Sequence, residues 1–192
     1  ITSTVSVNTT SGFSIVKWTG NGATATIGHG LGVAPKMIMV KSLANTTFWM
    51  LQHSSLGSGK EIYINSSSAL GNSTAWNSTD PTSTVFTVTG SAGNGVNYSG
   101  DYVAYCFADA QGFSKISSYT GNGSADGTFA YTGFKPAFIL LKNSATSSGW
   151  YMYDNKRPSV YNPNATVLFA NETTVEGTNT ASCEHPIDFL SN

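Results

Sequence analysis

The chain has 192 residues, a formal net charge of −1, and only 10% charged side chains against 40% hydrophobic ones. Low charge with that much apolar content excludes a charge-driven disordered chain, and nine basic residues scattered along the sequence argue against a nucleic-acid partner. The longest apolar runs, such as Met37-Ile38-Met39-Val40 and Ala137-Phe138-Ile139-Leu140-Leu141, fall far short of the ~20 residues of a spanning helix, so no membrane insertion is expected.

With no initiator Met and no basic-then-apolar leader, Ile1 reads as an internal or processed start. Short β-branched and aromatic runs punctuated by Gly, Asn, Ser and Pro predict strands in chain order. In the first half these are Phe13–Thr19, Ala23–Gly28, Lys36–Ser42, Thr47–His53, Glu61–Asn65, Thr84–Thr89 and Asp101–Ala108. In the second half they are Phe113–Tyr119, Thr128–Thr132, Ala137–Asn143, Gly149–Tyr153, Thr166–Ala170 and Ile187–Leu190. No segment sustains a 3.6-residue apolar period, so helices should be scarce.

An internal repeat orders these elements. Gly12-Phe13-Ser14 through Trp18-Thr19-Gly20-Asn21-Gly22 returns as Gly112-Phe113-Ser114 through Tyr119-Thr120-Gly121-Asn122-Gly123. Pro35 returns as Pro136 and Trp49 as Trp150, both at an offset of 101 residues. That period is too long for a solenoid and suits a small β-sandwich. The expected fold is therefore all-β, with two tandem related β-sandwich domains, jelly-roll-like, from an internal duplication. The first spans 1–110 and the second 111–192. The second lacks a counterpart of Asp101–Ala108 and reads as truncated at its C-terminal end. A sheet one strand short has an open edge that invites pairing, and the alternating Thr2–Val7 stretch is a candidate strand donor.

Motifs that could carry chemistry are thin. Gly28-His29-Gly30-Leu31-Gly32 is followed by Pro35 and a β-run rather than a helix, so it reads as a turn with His29 incidental, not as a phosphate cradle. Gly-x-Ser-x-Gly is absent, and His53 aligns with Asp154 across the repeat, which argues against a shared catalytic role. No His/Cys/Asp/Glu cluster has metal-ligand spacing. The expectation is no enzyme, with no catalytic, cofactor-binding or metal residues and no cofactor. Lys156-Arg157 beside Asp154 reads as a surface salt bridge. Cys106 reads as a small buried hydrophobe, with a bridge to Cys183 as the lesser alternative.

Aromatics make the best case for binding, since flat rings stack on sugars. Trp49 and Trp150 recur at equivalent sites and read as core anchors. Trp76, in a polar stretch, is the better candidate for an exposed contact, with a loop plug as the equal alternative. Tyr151, Tyr153 and Tyr161 near Lys156-Arg157 form a second candidate ligand patch.

The runs Gly12-Phe13-Ser14-Ile15-Val16, Gly28-His29-Gly30-Leu31-Gly32-Val33-Ala34-Pro35 and Met37-Ile38-Met39-Val40-Lys41 resemble a domain of marine bacteriophage virion proteins. Ser118-Tyr119-Thr120-Gly121-Asn122-Gly123, Thr132-Gly133-Phe134-Lys135-Pro136 and Ile187-Asp188-Phe189-Leu190-Ser191-Asn192 are similar to the same family. The resemblance implies a place in tail-fibre-like or capsid-appendage proteins and brings no catalytic or metal residues. In that family the sequence continues past the position of Asn192, which fits a fragment. The resulting expectation is a non-enzymatic structural and host-recognition module at the virion surface. Its expected partners are other virion subunits as a homo-oligomer, with a host surface glycan as a second kind of partner. The alternatives are a carbohydrate-binding module of a secreted bacterial protein and a purely architectural capsid-decorating protein.

Overall fold

The computed structural model describes residues 1–90, 96–124, 126–157, 162–178 and 186–190. Thirteen strands and no helix occur among them. Two compact units form. One comprises Ile1–Tyr63 with Leu70–Ala130, the other Ile64–Ala69 with Tyr131–Asn192.

The first unit is built on a seven-stranded sheet in the order β1-β2-β9-β4-β5-β6-β7. Its strands are β1 (Thr4–Asn8), β2 (Phe13–Gly20), β4 (Met37–Ser42), β5 (Met50–His53), β6 (Lys60–Tyr63), β7 (Gly71–Asn72) and β9 (Gly100–Phe107). A two-stranded sheet pairs β3 (Ala25–Gly28) with β8 (Val85–Val88). Every pairing is antiparallel.

Period-2 alternation fixes what each face presents. On the core face, rows run across the sheet as Ser14–Cys106–Ile38–Gln52, Val16–Ala104–Val40–Met50 and Trp18–Tyr102–Ser42. These side chains are buried with Ile27, Phe86 and Val88 of the small sheet, a sandwich-like layering. Small Ala104 and Cys106 sit on β9, Ala104 between Val16 and Val40 and Cys106 between Ser14 and Ile38. Trp18 stacks on Tyr102 at 5.4 Å and meets Phe86 edge-on at 5.9 Å. Its indole Nε1 donates to Asn97 Oδ1 (3.1 Å), and Asn97 Nδ2 donates to Asn21 Oδ1 (2.8 Å) and Ala23 O (2.7 Å).

The second unit holds a four-stranded antiparallel sheet, β10 (Phe138–Lys142), β11 (Trp150–Asp154), β12 (Thr166–Phe169) and β13 (Gly177–Thr178), in that order. Tyr153, Val167 and Phe189 form its core, with Ile139, Leu141 and Phe169 packed against them.

Local geometry recurs at the 101-residue offset. Gly22 and Gly123 both have positive φ (73° and 69°), as do Gly32 and Gly133 (75° and 82°). Asn21 Oδ1 accepts from Ala23 N, and Asn122 Oδ1 from Ser124 N. Ser54 N donates to Lys36 O, and Asn155 N to Ala137 O. Ser42 Oγ accepts from Asn45 N, as Asn143 Oδ1 does from Thr146 N.

The structure departs from expectation in four places. Phe113–Tyr119 and Thr128–Thr132 form no strand; Ser114 makes only an isolated bridge to Ala110. β2 is held between β1 and β9, and no such neighbours flank its counterpart among the described residues. Residues 111–130, assigned by the repeat to the second domain, group with the first unit. Ile187–Leu190 is likewise no strand, with one bridge from Ile187 to Asn164, although Phe189 is buried. Finally, the proposed N-terminal strand donor is used at home: β1 pairs with β2 over Thr4–Asn8.

Candidate functional site

Two surface features of the first unit stand out. The first is the outer face of the seven-stranded sheet. A solvated face of an antiparallel sheet is normally polar. Here the rows read Ile15–Tyr105–Met39–Leu51 and Phe13–Phe107–Met37–His53. Phe13 stacks on Tyr105 (6.4 Å), Trp49 stacks on Tyr105 (6.1 Å), and Phe13 leans on Phe107 (4.9 Å). Phe13, Met37, Met39, Trp49, Tyr105 and Phe107 are half-buried, Ile15 is exposed, and Leu51 at the β5 end of its row is buried.

The second is a hollow of about 190 Å³ at one end of the core-face row that ends in Gln52. Ile38 and Gln52 line it from the sheet, Ala34, Pro35 and Lys36 from the loop entering β4, Ser54 and Gly57 from the turn after β5, and Asp80 and Pro81 from the loop before β8. Gln52 is only 4% exposed, yet its Oε1 has no hydrogen-bond partner among the described residues. Lys36 and Asp80 take part in no ion pair among the described residues, whose charged pairs are Lys17–Asp101, Lys115–Asp109, Arg157–Asp154 and Arg157–Glu176.

The structure does not bring the sequence-predicted ligand contacts to the surface together. Trp76 is fully buried in the first unit's core. The turn around it, closed by Asn77 N to Thr74 O and Thr79 N to Trp76 O, with Asn77 and Ser78 at positive φ, folds the indole inward as a plug. Tyr153 is also buried, in the second unit's core. Tyr151 is half-buried and tilted against Phe169 at 5.1 Å. Tyr161 lies outside the described residues, as do Cys183 and His185. Trp150 is buried as expected of an anchor, whereas Trp49 stands on the outer face.

His29 is not incidental. It is completely buried; its Nδ1 accepts from Leu31 N (3.2 Å), which leaves Nε2–H to donate to Thr82 O (3.1 Å). Burial holds its pKa below the ordinary 6.5 despite the Thr82 bond. Burial also lowers His53, opposed by Asp109. The sign follows from linkage: the unfolded chain protonates near pH 6.5 while the fold resists protonation, so the unfolded state binds more protons there. Stability is full above about pH 6.5 and falls with acidification toward the folded pKa. Urea midpoints measured from pH 8 down to about pH 5 should decline, and His29→Gln should flatten the decline. An equally steep profile in the variant would place the titration elsewhere.

Burial pushes the Cys106 thiol up to about 12, so this free cysteine stays protonated and inert. Arg157 Nη2 meets Asp154 Oδ2 at 2.8 Å on the surface. No group of three or more His, Cys, Asp or Glu side chains that could hold a metal ion occurs among the described residues. No helix among them is long and apolar enough to cross a membrane.

Fold and surface together define an all-β protein, sandwich-like in its first unit, with an apolar outer sheet face and a small hollow at one end of a core-face row. The chain belongs to the family described as Domain of unknown function (DUF7483), whose profile matches residues 1–192. No curated protein and no solved structure matches it.

Proposed function

We propose that this chain is a passive, non-enzymatic module of a phage virion surface, part of a tail fibre or capsid appendage, that self-assembles and presents polar loops to a host. The observation that carries the assembly half is the outer sheet face, where Ile15, Tyr105, Met39, Phe13, Phe107 and Met37 stand where polar side chains belong. Large aromatics elsewhere are exposed as well: Phe113, Tyr119, Phe129, Tyr131 and Phe138 lie between 53% and 69% accessible. With only 10% charged residues, the surface opposes association weakly. The virion assignment rests on the sequence resemblance. The recurrence of turns and hairpin bonds at the 101-residue offset supports an origin by tandem duplication of a jelly-roll-like unit.

Ile15→Lys tests the assembly half. Ile15 is 38% exposed on the outer face, on β2 between Ser6 of the edge strand β1 and Tyr105 of β9, so a long cationic side chain fits there without disturbing the core. Sedimentation velocity should show the variant shifted to monomer with its far-ultraviolet circular dichroism unchanged. Unchanged self-association would remove the outer face from the proposal.

A further inference from the structure

We infer that the free edge of β1 pairs with the same strand of a second copy of this chain, antiparallel and about a two-fold axis at Ser6. This rests on the assembly half of the reading above and names a second contact for it, on the sheet's edge rather than its face.

β1 is the outermost strand of the seven-stranded sheet, and beyond β2 no strand pairs with it among the described residues. Its row of backbone N–H and C=O groups on that side is a template for another strand. Edges of this kind are normally blunted by a charge, a proline, a bulge or short length. The opposite edge of the same sheet, β7, has two residues, and in the four-stranded sheet β13 has two and β10 carries Lys142. β1 has none of these protections. It reads Thr4-Val5-Ser6-Val7-Asn8, pairs with β2 residue for residue over its whole length, and exposes every residue but the half-buried Val5.

The strand's own sequence selects the occupant. Antiparallel pairing about Ser6 sets Val5 opposite the partner's Val7, Thr4 opposite the partner's Asn8, and Ser6 opposite the partner's Ser6. Apolar meets apolar, polar meets polar, and no charge enters the junction. Val7 is 44% exposed and faces Ser14 across β2, so the partner's Val5 gives it the apolar cross-strand neighbour that its own sheet does not. A slip by one residue would oppose Val5 to the partner's Ser6 and turn one copy's outer face to the other's core side. In the register about Ser6 the axis stands normal to the sheet, and both outer faces fall on one side. The row Tyr105–Ile15–Ser6 then runs on through the partner's Ser6, and the apolar face is doubled.

Site-specific disulfide trapping of the whole chain tests this register. All variants carry Cys183→Ser, and Cys106 is buried and takes no part. Residues directly opposite in an antiparallel pair have Cα atoms about 4.5–5.5 Å apart, within disulfide reach. Ser6→Cys meets itself across the axis, whereas Thr4→Cys lies about 14 Å from its own copy at ~3.4 Å per residue. With oxidised glutathione, Ser6→Cys should form a covalent dimer at least tenfold faster than Thr4→Cys. Both positions are exposed, so collisions in solution would link them equally. Ser6→Lys, which sets two ammonium groups face to face, should lower the dimer population in sedimentation velocity with its circular dichroism unchanged. Equal cross-linking at the two positions, no cross-linking at Ser6→Cys, or a Ser6→Lys variant that associates like the wild type would overturn the assignment. Ser6→Cys should still cross-link in the Ile15→Lys background, so the edge and the outer face fail separately.

Discussion

Replacing Gly20 by alanine should unfold much of the first unit, while the same change at its repeat counterpart Gly121 should be almost silent. A Cβ on Gly20 would lie 1.7 Å from the Tyr98 carbonyl oxygen and 2.9 Å from the Tyr102 ring. Neither atom can yield cheaply: the first is backbone, and the second belongs to the ring stacked on Trp18. The main chain must move, which places the cost at about 4 kcal/mol or more. A Cβ on Gly121 meets nothing within 4 Å, and its cost should stay within about 0.5 kcal/mol. Urea denaturation followed by tryptophan fluorescence reads both. Equal effects at the two positions would mean that Gly20 is not pinned by close approach.

Asn97→Ala is the second large effect. Asn97 is fully buried, and its carboxamide makes three hydrogen bonds: it accepts from Trp18 Nε1 and donates to Asn21 Oδ1 and Ala23 O. Truncation strands the indole N–H of a Trp that is 2% exposed, and empties a buried site. Leaving a buried donor unsatisfied costs about 1–3 kcal/mol, with the lost bonds adding to it, so a loss of about 3 kcal/mol is expected. Asn122→Ala is the control. Asn122 bonds Ser124 N and Asp126 O on the exposed surface, where water replaces both partners. Its truncation should cost about 0.5 kcal/mol, the size usual for surface positions. A loss at Asn97 no larger than at Asn122 would contradict the account of the Trp18 network.

These two pairs also show what was legible in the sequence. Trp18-Thr19-Gly20-Asn21-Gly22 and Tyr119-Thr120-Gly121-Asn122-Gly123 read alike, and their turns form alike, because an Asn side chain and a positive-φ glycine need only local partners. Strand formation needs non-local ones. β2 and β4 were legible from their alternation, and β9 lies between them in the sheet. Phe113–Tyr119 carries a similar pattern without such neighbours among the described residues and stays out of any sheet.

The candidate site was the least legible part. Trp76, in a run of Asn, Ser and Thr, gives no apolar period to announce burial; its turn decides it. His29 looked like a loop residue because the carbonyl it bonds, Thr82, lies 53 positions away. Gln52 shares the core face with Met50, but Leu51 on the opposite face is buried as well, so period alone does not mark which of these residues are covered. That Lys36 and Asp80 line one hollow depends on a loop that only the fold brings near.

The central claim, a self-assembling module, is tested most directly by the mass of the wild-type chain at sedimentation equilibrium over a range of concentrations. A defined oligomer, or a mass that rises reversibly with concentration, is the predicted result. A strict monomer at every concentration would contradict it.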